Sequence, residues 1–163
     1  FSFFMMGGGK PPSLAFSPLH DKARGPKDTL RNIEQTGEFV VNVVTRAMAE
    51  RVNKASGDYA PDVDEFDVAP FTREASRLVK PPRVAESPAA LECKLFQVVR
   101  HGDGPQAANY VIGEIVHLRI HDAALRDDGL FDTAGQGLVA RMGRDEWTLV
   151  LGESVFSLAR PVV

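Results

Sequence analysis

Residues 25–44 read Gly25-Pro26-Lys27-Asp28-Thr29-Leu30-Arg31-Asn32-Ile33-Glu34-Gln35-Thr36-Gly37-Glu38-Phe39-Val40-Val41-Asn42-Val43-Val44, and within them a helical pattern gives way to a strand pattern. Pro26 ends whatever precedes it. Asp28 suits an N-cap, Leu30 and Ile33 fall three apart on one helical face, and Gly37 supplies a left-handed C-cap. A short helix is therefore predicted from near Asp28 to near Thr36. The valine-rich run that follows, residues 38–44, reads as a buried strand. The first turn of the helix also gathers groups that hold anions. Its free N–H groups, the positive end of the macrodipole, the Lys27 ammonium and the Thr29 hydroxyl could together grip a phosphate dianion. A well-capped surface helix without a ligand satisfies the same local pattern.

Outward from this stretch the chain is dominated by strands. Upstream, residues 1–6 and 14–19 are short apolar runs separated by three glycines and two prolines, which suits two strands with a tight connection. Downstream, Thr45 is placed to cap a second short helix over residues 45–55. Residues 56–82 loosen into an irregular excursion with a helical turn around 62–66. Alternation then returns. Leu91, Cys93, Leu95 and Val98 or Val99 mark one strand, and Ile112, Glu114, Val116, Leu118 and Ile120 one side of a longer one. The turn Gly102-Asp103-Gly104-Pro105 lies between them. Residues 147–151 read as a last strand after a turn at 143–146. The fold class predicted is mainly β, a largely antiparallel barrel with short inserted helices.

Composition narrows the functional classes. A chain of 163 residues with 44% hydrophobic content suits one domain, 1–163, burying about two thirds of its unfolded surface. A net charge of −3 gives no general attraction to nucleic acid or to anionic membranes, so an anion site must be local. No apolar run is long enough to span a bilayer and no signal-peptide pattern is present. Cys93 is the single cysteine, which excludes an internal disulfide, a CxxC pair and a cysteine zinc site, and suits a reducing cytoplasm. The chain opens on Phe1 inside an apolar run without an initiator methionine, so a longer natural chain is expected.

Several constellations carry little. His117 and His121 have helical metal spacing, but on a strand they stand about 13 Å apart. His20 and His101 have no ligand partners nearby in sequence. Gly7-Gly8-Gly9-Lys10 lacks the remainder of a P-loop, no GxGxxG joins a strand to a helix, and no Ser, His and Asp set can be singled out. No metal site and no catalytic side chain is predicted.

Taken in order, the motifs resemble the flavin reductase family. They are Ser2-Phe3-Phe4, Pro11-Pro12, a second strand ending in Ser17, Lys27-Asp28-Thr29-Leu30-Arg31-Asn32-Ile33 and Gly37-Glu38-Phe39-Val40-Val41-Asn42. The resemblance continues through Pro61 to Phe66, Val84-Ala85-Glu86-Ser87-Pro88, Leu91-Glu92-Cys93 and Ile112-Gly113-Glu114-Ile115-Val116, covering most of the chain to about residue 125. It implies an FMN-binding split barrel in which the missing N-terminal segment supplies a strand or two. FMN is the cofactor implied, with FAD the alternative flavin, NADH or NADPH the electron donor, and free flavin, oxygen or a partner monooxygenase the acceptor. A cytoplasmic homodimer with the cofactor near the subunit interface is implied as well.

The resemblance further implies that the strand carrying Ser2, Phe4, Met6 and Gly7 runs beside the flavin ring, largely through backbone contacts. Ser17 would lie near the ribityl phosphate, and Lys27 and Thr29 would complete the grip, the same two residues that the helix start singles out. One departure concerns residues 5–10. Where relatives carry a polar Asn-Ala-Val-Ser-Ser-Asp stretch, this chain has Met5-Met6-Gly7-Gly8-Gly9-Lys10. Glycines there would let backbone approach the ring, and Lys10 could stabilise a reduced anion. Another departure is Met142-Gly143-Arg144-Asp145-Glu146-Trp147, where relatives have a Gly-Gly-x-Tyr element. A flavin-holding electron carrier or storage protein without nicotinamide activity is the alternative reading.

Overall fold

The protein is described by a computed structural model covering residues 4–21 and 25–162. Strands β1 (Phe4–Gly9) and β2 (Pro12–Phe16) form an antiparallel hairpin that turns at Lys10 and Pro11. The glycines of β1 have a local reason. The register slips between Met6 and Gly9, the Gly8 N–H donates to Ser13 Oγ at 3.1 Å, and a Cβ on Gly7 would sit 2.5 Å from that same oxygen. The second strand begins at Pro12 and stops at Phe16, earlier at both ends than the apolar run 14–19, because pairing rather than hydrophobicity sets its length.

Helix α1 (Asp28–Thr36) has the expected bounds, buries Leu30 and Ile33, and ends on Gly37 in the left-handed region at φ 69°, whose N–H donates to the Ile33 carbonyl at 2.8 Å. Its start differs from expectation. Lys27 is the N-cap and makes no side-chain cap bond; its carbonyl accepts from the N–H groups of Leu30 and Arg31. Asp28 is the first helical residue, and its carboxylate is bound by Arg31, which also donates to the Pro26 carbonyl at 2.5 Å. An acid at this position still favours the positive helix end, but it caps nothing.

Strand β3 (Glu38–Asn42) follows at once. A 3₁₀ turn (Arg46–Met48) then leads into α2 (Ala49–Ala55), and α3 (Glu65–Val68) is capped by Asp64, whose carboxylate accepts the Phe66 N–H at 2.9 Å. The short strands β4 (Arg73–Glu74) and β5 (Arg83–Val84) pair with each other, and the long strands β6 (Ala89–His101) and β7 (Ala108–Ile120) pair along their whole lengths. The order β1-β2-β7-β6-β3 makes one antiparallel five-stranded sheet. A separate hairpin of β8 (Val139–Gly143) and β9 (Glu146–Leu149) closes the order, the former unforeseen in the sequence and the latter shifted from 147–151.

The valine run is not a central strand. β3 pairs with β6 alone and stands at one edge of the sheet, where only Phe39 is buried. β-branched runs signal an extended chain without saying which neighbours it has. Phe39 reaches the core because Gly113 of β7 has no side chain: a Cβ there would lie 2.8 Å from Phe39 Cε1. The Phe39 ring also meets Phe16 edge-on at 5.5 Å and 62°. Leu14, Leu30, Ile33, Leu91, Cys93 and Val111 complete this core, each large apolar member contributing roughly 1.5–3 kcal/mol by burial. Among the described residues no helix is long and apolar enough to cross a membrane.

Candidate functional site: a groove ending at a helix start

The curved sheet leaves β1 and β3 as its two edges, and a groove of about 660 Å³ is lined from both of them. Phe4 and Phe16, paired across the β1–β2 hairpin, lie on its wall with Thr29 and Ile33 of α1, Phe39 of β3 and Val84 of β5. This volume falls in the range of small-molecule sites, which are mostly apolar with a few placed polar groups. Here the polar groups gather where α1 begins. Among the described residues, the N–H groups of Asp28 and Thr29 and the Thr29 hydroxyl have no hydrogen-bond partner, and the Lys27 and Thr29 side chains are exposed. Arg31 neutralises the one acid in that turn. An anion would therefore meet donors and a cation there, with its principal repulsion cancelled.

The structure brings some of the sequence-predicted residues together and separates others. Phe4 and Thr29 both line the groove, and Lys27 adjoins it as the N-cap of α1. Ser17 follows Phe16 directly; its Oγ accepts the Asn109 N–H at 3.2 Å. Met6 pairs with Leu14 and is exposed, and Met6 and Gly7 do not line the groove. Lys10 is at the hairpin turn, also off the groove wall. Ser2 lies outside the described residues. Trp147 lies in β9, part of the separate hairpin, and does not line the groove.

Three contributions escaped sequence reading. Phe16 and Phe39 were legible only as apolar strand positions. Pro81, Pro82 and Val84 form a further stretch of wall, and the segment bearing them is held by acceptors scattered over the sheet. Glu92 of β6, fully buried, accepts the N–H groups of Arg77 and Leu78 at 2.8 and 2.7 Å with Arg83 3.7 Å away. Glu38 accepts the Lys80 N–H at 2.8 Å and Asn42 the Val84 N–H at 3.0 Å. Glu86 takes the Thr72 N–H and pairs with Arg51 at 3.2 Å. Burial alone would push the Glu92 carboxyl up; the two N–H groups, with His117 and Arg83, outweigh it and hold the group below the usual glutamate value. Glu86 is likewise held low against its burial by the backbone N–H groups and Arg51. Burial, with Glu92 next to it, pushes the Cys93 thiol up to about 12, so it is not a nucleophile. The two spaced histidines do not converge: His121 Nε2 lies 2.9 Å from the Ala85 carbonyl oxygen, and His117 faces Glu92 across the β6–β7 pair.

A five-stranded antiparallel sheet with a groove lined from both of its edges places the chain among the mainly β, barrel-like folds. The chain belongs to the flavin reductase family: residues 1–137 match the flavin reductase like domain, and the fold is the split barrel of that family. It is 37% identical over 165 residues to an uncharacterized protein of Halalkalibacterium halodurans, covering 100% of this chain and 78% of that one. Among solved structures it is similar to nitrilotriacetate monooxygenase component B from Bacillus cereus, with a TM-score of 0.87 at 25% identity over 97% of this chain and 77% of that chain. It is similar also to flavoredoxin of Desulfovibrio vulgaris, with a TM-score of 0.77 at 27% identity over 98% and 79% of the two chains.

Proposed function

We propose that residues 1–163 form one FMN-binding oxidoreductase domain, passing electrons from NADH or NADPH through bound flavin to free flavin, oxygen or a partner oxygenase. The observation that carries this reading is the double membership of Thr29, which lines the apolar groove and stands in the donor-rich first turn of α1. A flavin nucleotide has the matching polarity, an extended ring system joined to a phosphate. Lys27, Thr29 and Ser17 would hold the phosphate, while the segment carrying Ser2, Phe4, Met6 and Gly7 would run beside the ring, largely through backbone contacts. When bound, the flavin supplies the hydride and electron-transfer chemistry. The chain's own residues would bind it, align it and screen it from water, a role that requires no side-chain nucleophile. FAD is the alternative flavin.

A cytoplasmic homodimer is part of the same reading. Alternation along the sheet puts Met5, Val99 and Tyr110 on the face opposite Leu14 and Val111, and all three are exposed. Light scattering of the purified protein tests it, a monomer at micromolar concentration opposing it. The acceptor is a proposal by likeness: the similar Bacillus cereus protein is a monooxygenase component, which suggests a partner oxygenase. The likeness to flavoredoxin supports a second reading, a flavin-holding electron carrier without nicotinamide activity of its own.

One spectroscopic experiment separates these. Protein mixed with FMN and desalted should retain absorbance near about 450 nm, and anaerobic NADH or NADPH should bleach it. Retention without bleaching by either nucleotide selects the carrier. Failure to retain or titrate any flavin overturns both.

A further inference from the structure

The end of β2 is fixed by a residue that neither motif nor groove includes. Asn109, near the start of β7, is 1% exposed. Its backbone N–H donates to Ser17 Oγ at 3.2 Å, and its side-chain Nδ2 donates to the Pro18 carbonyl at 3.0 Å and more weakly to the Ala107 carbonyl at 3.4 Å. The backbone of the next residues is tied to the same strand start, the His20 N–H donating to Ala107 O at 3.0 Å and the Gln106 N–H to His20 O at 3.1 Å. Ser17 is thus clamped from both sides, through its own oxygen and through the carbonyl immediately after it.

The direction of these bonds has a chemical consequence. Because Ser17 Oγ already accepts a hydrogen bond, its own proton is left to donate, and among the described residues that proton has no acceptor. A buried amide is costly to place unless its polar atoms are met. Asn109 meets two carbonyls through Nδ2, while its Oδ1 finds no partner among the described residues. An apolar residue would avoid that cost, so a core-filling role alone does not account for asparagine here.

We propose that Asn109 is a positioning residue for the anion end of the site. It holds the Ser17–Pro18 turn so that the Ser17 hydroxyl donates to the ligand's phosphate. This inference rests on the flavin-nucleotide reading and adds to it a residue that touches no ligand.

The experiment compares FMN with riboflavin, which lacks the phosphate, by quenching of flavin fluorescence on titration. Loss of one charge-assisted hydrogen bond weakens binding by about tenfold. Asn109→Ala keeps the backbone N–H on Ser17 Oγ but frees the Pro18 carbonyl; with the turn released, FMN binding should weaken by about three- to tenfold while riboflavin affinity stays within about twofold. Placed on a Ser17→Ala background, Asn109→Ala should add less than about twofold, because the two act through one hydroxyl. Asn109→Ser, which keeps a polar group at the buried position but withdraws the amide from Pro18, makes the same comparison should the alanine variant not fold. Equal loss for both flavins would show a merely structural residue and overturn the proposal, as would independent effects in the double variant. A wild-type protein that binds neither flavin sinks the flavin reading itself, a result distinct from either of those.

Discussion

Two regions flank the groove and treat hydrogen-bonding groups in opposite ways. In the segment of residues 70–84, the backbone N–H groups of Thr72, Arg77, Leu78, Lys80 and Val84 are met by side-chain acceptors from Glu86, Glu92, Glu38 and Asn42. At the start of α1, the N–H groups of Asp28 and Thr29 and the Thr29 hydroxyl have no partner among the described residues, and the one acid nearby is bound by Arg31. The bonds of Arg77, Leu78 and Val84 are part-buried, where an unpaired N–H is costly, whereas donors open to solvent can be left for water or for a ligand. The contrast teaches where to seek function: the satisfied region builds the wall, and the unsatisfied one is where the proposed phosphate would find its donors.

The comparison can be broken most sharply at Glu92. Glu92→Ala removes the acceptor of two N–H groups in this segment, the strap of residues 70–84, and should lower unfolding free energy by about 3 kcal/mol, read from the midpoint of urea denaturation. A loss below about 0.5 kcal/mol would mean that the strap holds without its buried anchor. Next in size is the other region. Lys27→Ala combined with Thr29→Ala should weaken FMN binding by about thirtyfold, some 2 kcal/mol, with the same urea midpoint as wild type. Equal FMN affinity would remove both residues from the site.

Acid provides a smaller, graded test. Glu92 and Glu86 have carboxyls held below the ordinary glutamate value in the folded protein. Each stabilises the fold fully above the unfolded value of about 4.3, and that contribution is lost as pH falls from there through the lower folded value. Amide exchange, corrected for its intrinsic pH dependence, should show protection at Arg77 and Leu78 constant above about pH 5 and falling below it; Glu92→Gln should flatten that dependence. The smallest effect is expected at Asp28. Since it is not the cap, Asp28→Ala should cost only about 0.5 kcal/mol through the dipole and the half-exposed Arg31 pair. A cost near 2 kcal/mol would restore it as the helix's true N-terminal anchor.

Legibility in the sequence followed the range of the interactions. Asp28–Thr36 was readable to its ends because Leu30, Ile33 and Gly37 act within one helix, whereas the cap itself was misplaced by one residue, since Asp28 prefers Arg31 to the backbone. The long strands around Leu91 and Ile112 were plain from alternation. That β3 stands at an edge was not, because order within a sheet depends on which distant strand pairs with which. The strap read as irregular for the same reason: Glu92 lies 15 and 14 residues from the N–H groups it accepts, and Asn42 lies 42 from its partner. Of the groove, Phe4 and Thr29 were named from motif and helix start, and their part in holding a ligand, like that of Lys27, belongs to the proposal; the Asn109 contact leaves no local signal, being 92 residues from Ser17.

The close approach of Phe39 to Gly113 has a bearing on how the chain can diverge. Each position is the boundary condition of the other: any side chain at 113 meets the ring at once, and any smaller residue at 39 opens a void that a side chain at 113 could enter. The pair is therefore free to drift only jointly, through exchanges in which volume passes from one strand to the other, and in one order: position 39 must give up volume before position 113 can take it.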